Sequence, residues 1–182
     1  MNKEKEANKK ILIVVDMQND FITGALGSKE AIGILAKVKN KISEYIDNND
    51  EVVFTRDTHT EDYLQTQEGR NLPVRHCIKN TDGWNIHPFI RLVDKMHIDK
   101  EAFGFSNWKV LLKEYKEVEL IGVCTDICVV SNALIIKALY PETLVTVDAS
   151  CCAGTTPEKH TAAIEVMKSC QVNIIGEEKW EN

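Results

Sequence analysis

Five side chains of this 182-residue chain have the types that thiol chemistry calls for, and each follows a short run that reads as a strand. Asp16 comes directly after Ile11-Leu-Ile-Val-Val15, Asp57 and His59 after Glu51-Val-Val-Phe-Thr55, and Lys100 after Lys95-Met-His-Ile-Asp99. Cys128 stands four residues past Val118–Cys124. A thiol that attacks a carbonyl needs a base to take its proton and a cation to hold the thiolate. Asp16 can be the base, and Lys100 the cation that also keeps Asp16 ionised. Cys128 falls in the first turn of a helix expected over 126–139, with Leu134, Ile135 and Leu139 at helical spacing and Thr125 or Asp126 as N-cap. Unpaired backbone N–H groups and the positive end of the dipole there favour thiolate. Backbone N–H groups at Cys128 and near Cys124 can receive the oxyanion of a tetrahedral intermediate, each such donor being worth ~3 kcal/mol of barrier. The chemistry expected is acyl transfer to Cys128 followed by hydrolysis. A lone cysteine is more often a small core residue, but that leaves the polar strand ends unexplained.

Asp57 and His59 are two apart, so in extended backbone they share a face. Glu68 and His76, in the long segment that follows, bring the set to two oxygen and two nitrogen donors. Such a set suits one divalent transition metal, Zn²⁺ first, with Mn²⁺ or Fe²⁺ as alternatives.

These residues can meet only if the elements behind them line up. Runs rich in β-branched residues alternate with amphipathic stretches, giving strands at 11–15, 51–55, 95–99, 118–124, 144–147 and 172–175. Helices are expected at 29–47, 106–115, 126–139 and 157–169. The first should bury Ile32, Leu35, Val38, Ile42 and Ile46 behind a Ser28 cap, and the last opens on Thr156 and Pro157. This alternation predicts an α/β fold in three αβα layers, with a mostly parallel six-stranded sheet and helices on both faces. Sites in such sheets lie beyond the carboxyl ends of the strands, where all five side chains fall. Residues 58–87 show no sustained period and hold His59, Glu61, Glu68, His76, Trp84 and His87, the pattern of a functional loop.

Length and a 43% hydrophobic content fit a single domain over 1–182. The net charge of −6 is spread along the chain without a basic block, which argues against nucleic acid or an anionic membrane as partner. No apolar stretch approaches a membrane span or a signal-peptide core. Six cysteines without a spaced framework point to reduced thiols in the cytoplasm. A homo-oligomer is left open.

Taken together, Val15-Asp16-Met-Gln-Asn-Asp20-Phe21, Thr55-Arg-Asp57-Thr-His59, His76-Cys77, Lys100 and Gly122-Val-Cys-Thr-Asp-Ile-Cys128-Val resemble the nicotinamidase branch of the isochorismatase-like cysteine hydrolases. The resemblance runs from Ile11 to about Gly176, and its most specific part is the Thr-Asp-x-Cys-Val turn. It implies a triad of Asp16, Lys100 and Cys128, and an oxyanion hole from the backbone N–H groups of Cys124 and Cys128. It implies a non-proline cis peptide between Val123 and Cys124, and metal ligation by Asp57, His59, Glu68 and His76. The metal and its waters would then hold a ring nitrogen of a small amide substrate. Phe21 matches one pocket aromatic, and Phe103 or Phe105 would supply a wall. Where the family usually has Trp on the substrate ring, this chain has Leu72, and its Leu72-Pro-Val-Arg-His76 carries one more residue before the histidine. Nicotinamide is the first substrate expected. Another carboxamide or ureido compound is the alternative, and a thiol-based redox or ligand sensor the non-catalytic one.

Overall fold

The computed structural model describes residues 9–92 and 94–177. Six parallel strands form one sheet: β1 (Lys10–Val15), β2 (Glu51–Asp57), β3 (Met96–Lys100), β4 (Glu117–Val123), β5 (Leu144–Ala153) and β6 (Asn173–Ile175), in the order β3-β2-β1-β4-β5-β6. The expected α/β architecture is therefore present. The order reverses at β1, whose neighbours are β2 on one side and β4 on the other, so the crevice beyond the ends of β1 and β4 is the natural place for a site.

Burial on both faces explains why β1 is apolar from Ile11 to Val15. Ile11, Ile13 and Val15 join one cluster with Trp108, Val129, Ala133, Ile136, Ile164 and Met167; Leu12 and Val14 join the other with Ala31, Ile34, Val38 and Ile42. Each of the valine, leucine, isoleucine and methionine side chains among them contributes ~1.5–3 kcal/mol when fully buried. The first face is covered by α4 (Trp108–Leu111), α5 (Val130–Leu139) and α6 (Pro157–Ser169), the second by α2 (Lys29–Asp47). A short α1 (Asn19–Ile22) follows β1, and α3 (Gln67–Asn71) interrupts the long segment after β2.

Ser28 caps α2 by accepting from the Ala31 N–H, and Thr156 caps α6 by accepting from the Lys159 N–H, both as expected. The buried face of α2 differs from the expected one. It consists of Ala31, Ile34, Val38, Ile42 and Tyr45, while Ile32 and Ile46 are 50% and 37% exposed. The stripe is turned by one residue at each end, and at the C-terminal end the buried Tyr45 donates its hydroxyl to Glu119 (2.8 Å). The helix expected at 106–115 shrinks to α4, and β5 runs on to Ala153, past an irregularity opposite Leu120–Gly122. Neither Thr125 nor Asp126 caps a helix. Residues Thr125–Val129 form a π-helical turn that leads into α5, with Cys124 ahead of it. Within that turn Thr125 Oγ1 pairs with His160 Nδ1 (2.8 Å), and Asp126 accepts from the backbone and hydroxyl of Thr155 (2.8 and 2.6 Å). The Val123–Cys124 peptide is cis.

Candidate active site

The register of the sheet delivers the polar side chains. Asp57 is the partner of Lys100 across β2 and β3, and Val15 the partner of Gly122 across β1 and β4. Gly122 has φ 118°, and a Cβ there would lie 2.2 Å from the Val15 carbonyl oxygen, so only glycine lets β4 approach β1 this closely. At the next residue the chain turns through φ 49° at Asp16, a left-handed conformation that aspartate tolerates better than most residues. The turn aims the Asp16 carboxylate at Lys100.

Lys100 is the hub. Its ammonium lies 2.6 Å from Asp16 Oδ2, 3.1 Å from Asp57 Oδ1 and 3.4 Å from Cys128 Sγ, and it also donates to the Ala102 carbonyl (3.2 Å). Asp16, Lys100 and Cys128 are 0%, 2% and 4% exposed, so the three are brought together out of water. Burial works against the Lys100 ammonium, but Asp16, the Cys128 sulfur and Asp57 outweigh it and hold its pKa well above the usual lysine value. Burial pushes the Asp16 carboxyl up, with Lys100 pulling the other way. The expected thiolate is corrected here: burial, then the Asp16 charge, raise the Cys128 thiol well above an ordinary cysteine, and Lys100 opposes them only in part.

The second constellation shares Asp57 with the first. One ligand atom each from Asp57, His59, Glu68 and His76 lie within 4.8 Å of one another. His59 Nε2 and His76 Nε2 stand 3.0 and 3.6 Å from Asp57 Oδ2, and 3.7 and 3.9 Å from Glu68 Oε1. Ligands of a tetrahedral ion with bonds of ~2.1 Å would be roughly 3.4 Å apart, so the spacing suits one. His76 Nδ1 is engaged by the Val74 carbonyl (2.8 Å), which leaves Nε2 for the cluster, as metal-binding histidines require. Burial works against the Asp57 charge, yet His59, His76 and Lys100 hold its carboxyl well below the usual range. Burial and the Asp57 charge push Glu68 up, with His59, His76 and Lys100 pulling the other way. The four residues fit a metal.

Several supporting side chains escaped sequence reasoning. Thr55 donates to Asp16 Oδ1 (2.6 Å) and accepts from the Asp16 N–H (3.2 Å), fixing that carboxylate. Gln18 accepts from the Asp57 N–H (2.7 Å) and donates to the Asp57 and Trp84 carbonyls (2.8 and 2.9 Å). Asp20 accepts from the Cys77 N–H (2.8 Å), next to His76. Tyr63 is wholly buried, its ring 4.5 Å from that of His59 and 5.0 Å from that of His76, and its hydroxyl donates to the Leu72 carbonyl (2.9 Å). Gln18 and Asp20 sit inside a motif already singled out, whereas Thr55 and Tyr63 looked like ordinary strand and loop residues.

The three residues expected to contact substrate are placed differently from one another. The half-buried Phe21 ring lies 5.5 Å from that of His76. Leu72 and Phe103 are 38% and 45% exposed and are held through their backbone carbonyls. Cys124 is half-buried and, like Phe21, packs against the cluster on the α2 face of the sheet. Elsewhere in the loop, Glu61 pairs with Arg75, and Trp84 donates to Thr58 (2.8 Å) under the Arg56 guanidinium, a packing role.

The pyrazinamidase of Pyrococcus horikoshii, solved in complex with zinc, superposes with a TM-score of 0.81 at 33% identity over 93% of this chain and 99% of that one. The N-carbamoylsarcosine amidase of Thermoplasma acidophilum superposes with a TM-score of 0.76 at 27% identity over 95% and 99%. In sequence, the nicotinamidase/pyrazinamidase of Mycobacterium tuberculosis is 27% identical over 186 residues, 90% of this chain and 97% of that protein. The Isochorismatase domain matches residues 10–179, which take in every strand and every polar strand end described above, and on that match the chain belongs to the isochorismatase family.

Proposed function

We propose that the protein is a nicotinamidase, hydrolysing nicotinamide to nicotinate and ammonia through a Cys128 acyl-enzyme. The observation that carries this is the single Lys100 ammonium in contact with a carboxylate, a thiol and the metal-type cluster at once. As Sγ attacks the amide carbon, Asp16 takes the thiol proton, with Lys100 stabilising the charge that develops on the pair. The backbone N–H groups of Cys124 and Cys128 receive the oxyanion. Collapse breaks the C–N bond, and Asp16 returns the proton to the departing ammonia. Water then attacks the thioester while Asp16 takes its proton; the C–S bond breaks and Cys128 recovers the proton. Asp57, His59, Glu68 and His76 would hold one divalent metal, Zn²⁺ by donor set, which when bound supplies an electrophile for the ring nitrogen of the substrate. Phe21 would cover one face of the ring, with Leu72 and Phe103 as further walls.

A second reading has a specific basis. Leu72 stands where a stacking aromatic is expected, and a structural neighbour is named for a ureido substrate. Ammonia release by purified enzyme from nicotinamide, pyrazinamide, N-carbamoylsarcosine and an aliphatic amide separates the two. Release from the ureido or aliphatic compound alone would replace nicotinamide as substrate, and release from none would leave a thiol sensor. Among the described residues no helix is long and apolar enough to cross a membrane. The unpaired cysteines suit a reducing cytoplasm.

A further inference from the structure

Between β3 and α4 the chain crosses the surface from Glu101 to Asn107 without regular structure, yet it borders the triad. Its start is tied to Lys100, whose ammonium donates to the Ala102 carbonyl (3.2 Å). Its middle is tied to one residue of α5. Asn132 is fully buried, and its carboxamide uses all the partners an amide can take. Nδ2 donates to the Cys128 carbonyl (2.7 Å) and the Phe103 carbonyl (3.2 Å), and Oδ1 accepts from the Phe105 N–H (2.9 Å) and the Trp108 indole N–H (2.8 Å). Gly104 lies between the two tethered phenylalanines, so close to α5 that a Cβ would come 2.3 Å from Ile135 Cδ1. The neighbouring Ser131 donates only to the Ile127 carbonyl (2.6 Å), four residues back. Asn132 makes the same local bond to Cys128 and then reaches beyond the helix.

We infer that Asn132 is a positioning residue for the hydrolysis: its one buried amide locks the peptide of the nucleophile to the Phe103–Trp108 segment, so that the thiol and this wall of the site are held in a fixed relation. The inference rests on the amidase reading for its kinetic part only. Cys128 is placed by the π-helical turn, whereas the segment has no sheet or helix ladder of its own. Loosening the amide should therefore release the wall before it disturbs the thiol.

Asn132→Ser separates these. A serine can keep the bond to the Cys128 carbonyl, as Ser131 does to Ile127, but it cannot reach Phe103, Phe105 or Trp108. In the metal-loaded enzyme it should raise KM for nicotinamide about tenfold, with kcat and the iodoacetamide alkylation rate of Cys128 within about threefold of wild type. The ¹H–¹⁵N resonance of the Trp108 indole, assigned with Trp108→Phe, should move. Asn132→Asp keeps the acceptor for Phe105 and Trp108 but turns an oxygen toward the Cys128 and Phe103 carbonyls. It should change the alkylation rate and lower kcat as well, and it serves if the serine variant does not fold. A residue with a merely structural role would reduce the folded fraction, lowering apparent kcat at unchanged KM. Folded variants with wild-type KM and an unmoved Trp108 indole overturn the inference. If wild-type enzyme releases ammonia from no amide, the proposed function fails, while the indole shift and alkylation rates still decide whether Asn132 couples the two elements.

Discussion

Replacing Lys100 with methionine tests the charge arrangement most directly, because it removes the cation and little volume. The ammonium sits 2.6 Å from one buried carboxylate and 3.1 Å from another. At an effective dielectric of ~20 those separations correspond to gross attractions of ~6 and ~5 kcal/mol. Desolvation of each ion costs several kcal/mol in return, and removing one member of a buried set typically destabilises by ~3–5 kcal/mol, because the partners stay buried and unpaired. For a chain of this length that is a Tm lower by roughly 6–20 °C, within a total stability of ~5–15 kcal/mol. The sign can be checked without assuming the magnitude: Asp16→Asn added to Lys100→Met removes one of the two stranded charges and should recover at least ~2 kcal/mol. Both are measured by thermal and urea unfolding on protein stripped with EDTA, so that a cation on Asp57 does not stand in for the missing lysine. A Lys100→Met protein melting within ~2 °C of wild type, or a double variant no more stable than the single one, would refute the account of Lys100 as a buried hub.

Cys128→Ala should abolish ammonia release while Cys170→Ala, at an exposed thiol, leaves it unchanged; full activity without the Cys128 sulfur would falsify the mechanism. Purified protein should carry about one divalent transition ion per chain, and His59→Ala or His76→Ala should lose it by elemental analysis. Retention of metal by both variants would place the ion elsewhere. Gly122→Ala should cost about 2–5 kcal/mol in urea unfolding, because it adds a Cβ against the Val15 carbonyl at φ 118°; a wild-type midpoint would contradict that close approach. Leu72→Trp should lower KM for nicotinamide by up to about tenfold through ring stacking, and an unchanged or raised KM would remove position 72 from the substrate wall.

The strands were legible because a parallel sheet covered on both faces demands apolar runs, and β1 and β2 supply continuous ones while β4 supplies one broken only at Glu119. The triad and the metal-type set were legible for a related reason. Asp16, Asp57, His59 and Lys100 lie at or just past strand ends, the positions that sequence locates best, whereas Glu68 and His76 lie in the long segment after β2 and Cys128 in the turn after β4. The face of α2 was misjudged because isoleucine outranks alanine and tyrosine in hydrophobicity, while the fold buries the small Ala31 and a tyrosine whose hydroxyl finds Glu119. The true extent of β5 was hidden by Asp148 and Ser150, which look like a turn but hydrogen-bond to each other (2.7 Å) within the strand. The π-helical turn has no composition signal, so Thr125 and Asp126 looked like caps. At Cys128 the terminus of a helix can be read from sequence, whereas the depth of burial that raises its thiol cannot. Asn132 and Tyr63 carry no local pattern, since their partners lie in segments of no regular period.

Tyr63 has a consequence for how substrate range can drift between related enzymes. It braces both histidines of the metal-type cluster with its ring, and its hydroxyl holds residue 72 by that residue's backbone carbonyl. Every amino acid offers the same carbonyl, so this tether does not depend on which side chain stands at position 72. A lineage can exchange leucine for an aromatic, or the reverse, without a compensating change among the ligands. Tyr63 itself has no such latitude, because phenylalanine would keep the brace and drop the tether. Variation in what the pocket accepts should therefore accumulate at 72 well before it reaches 63.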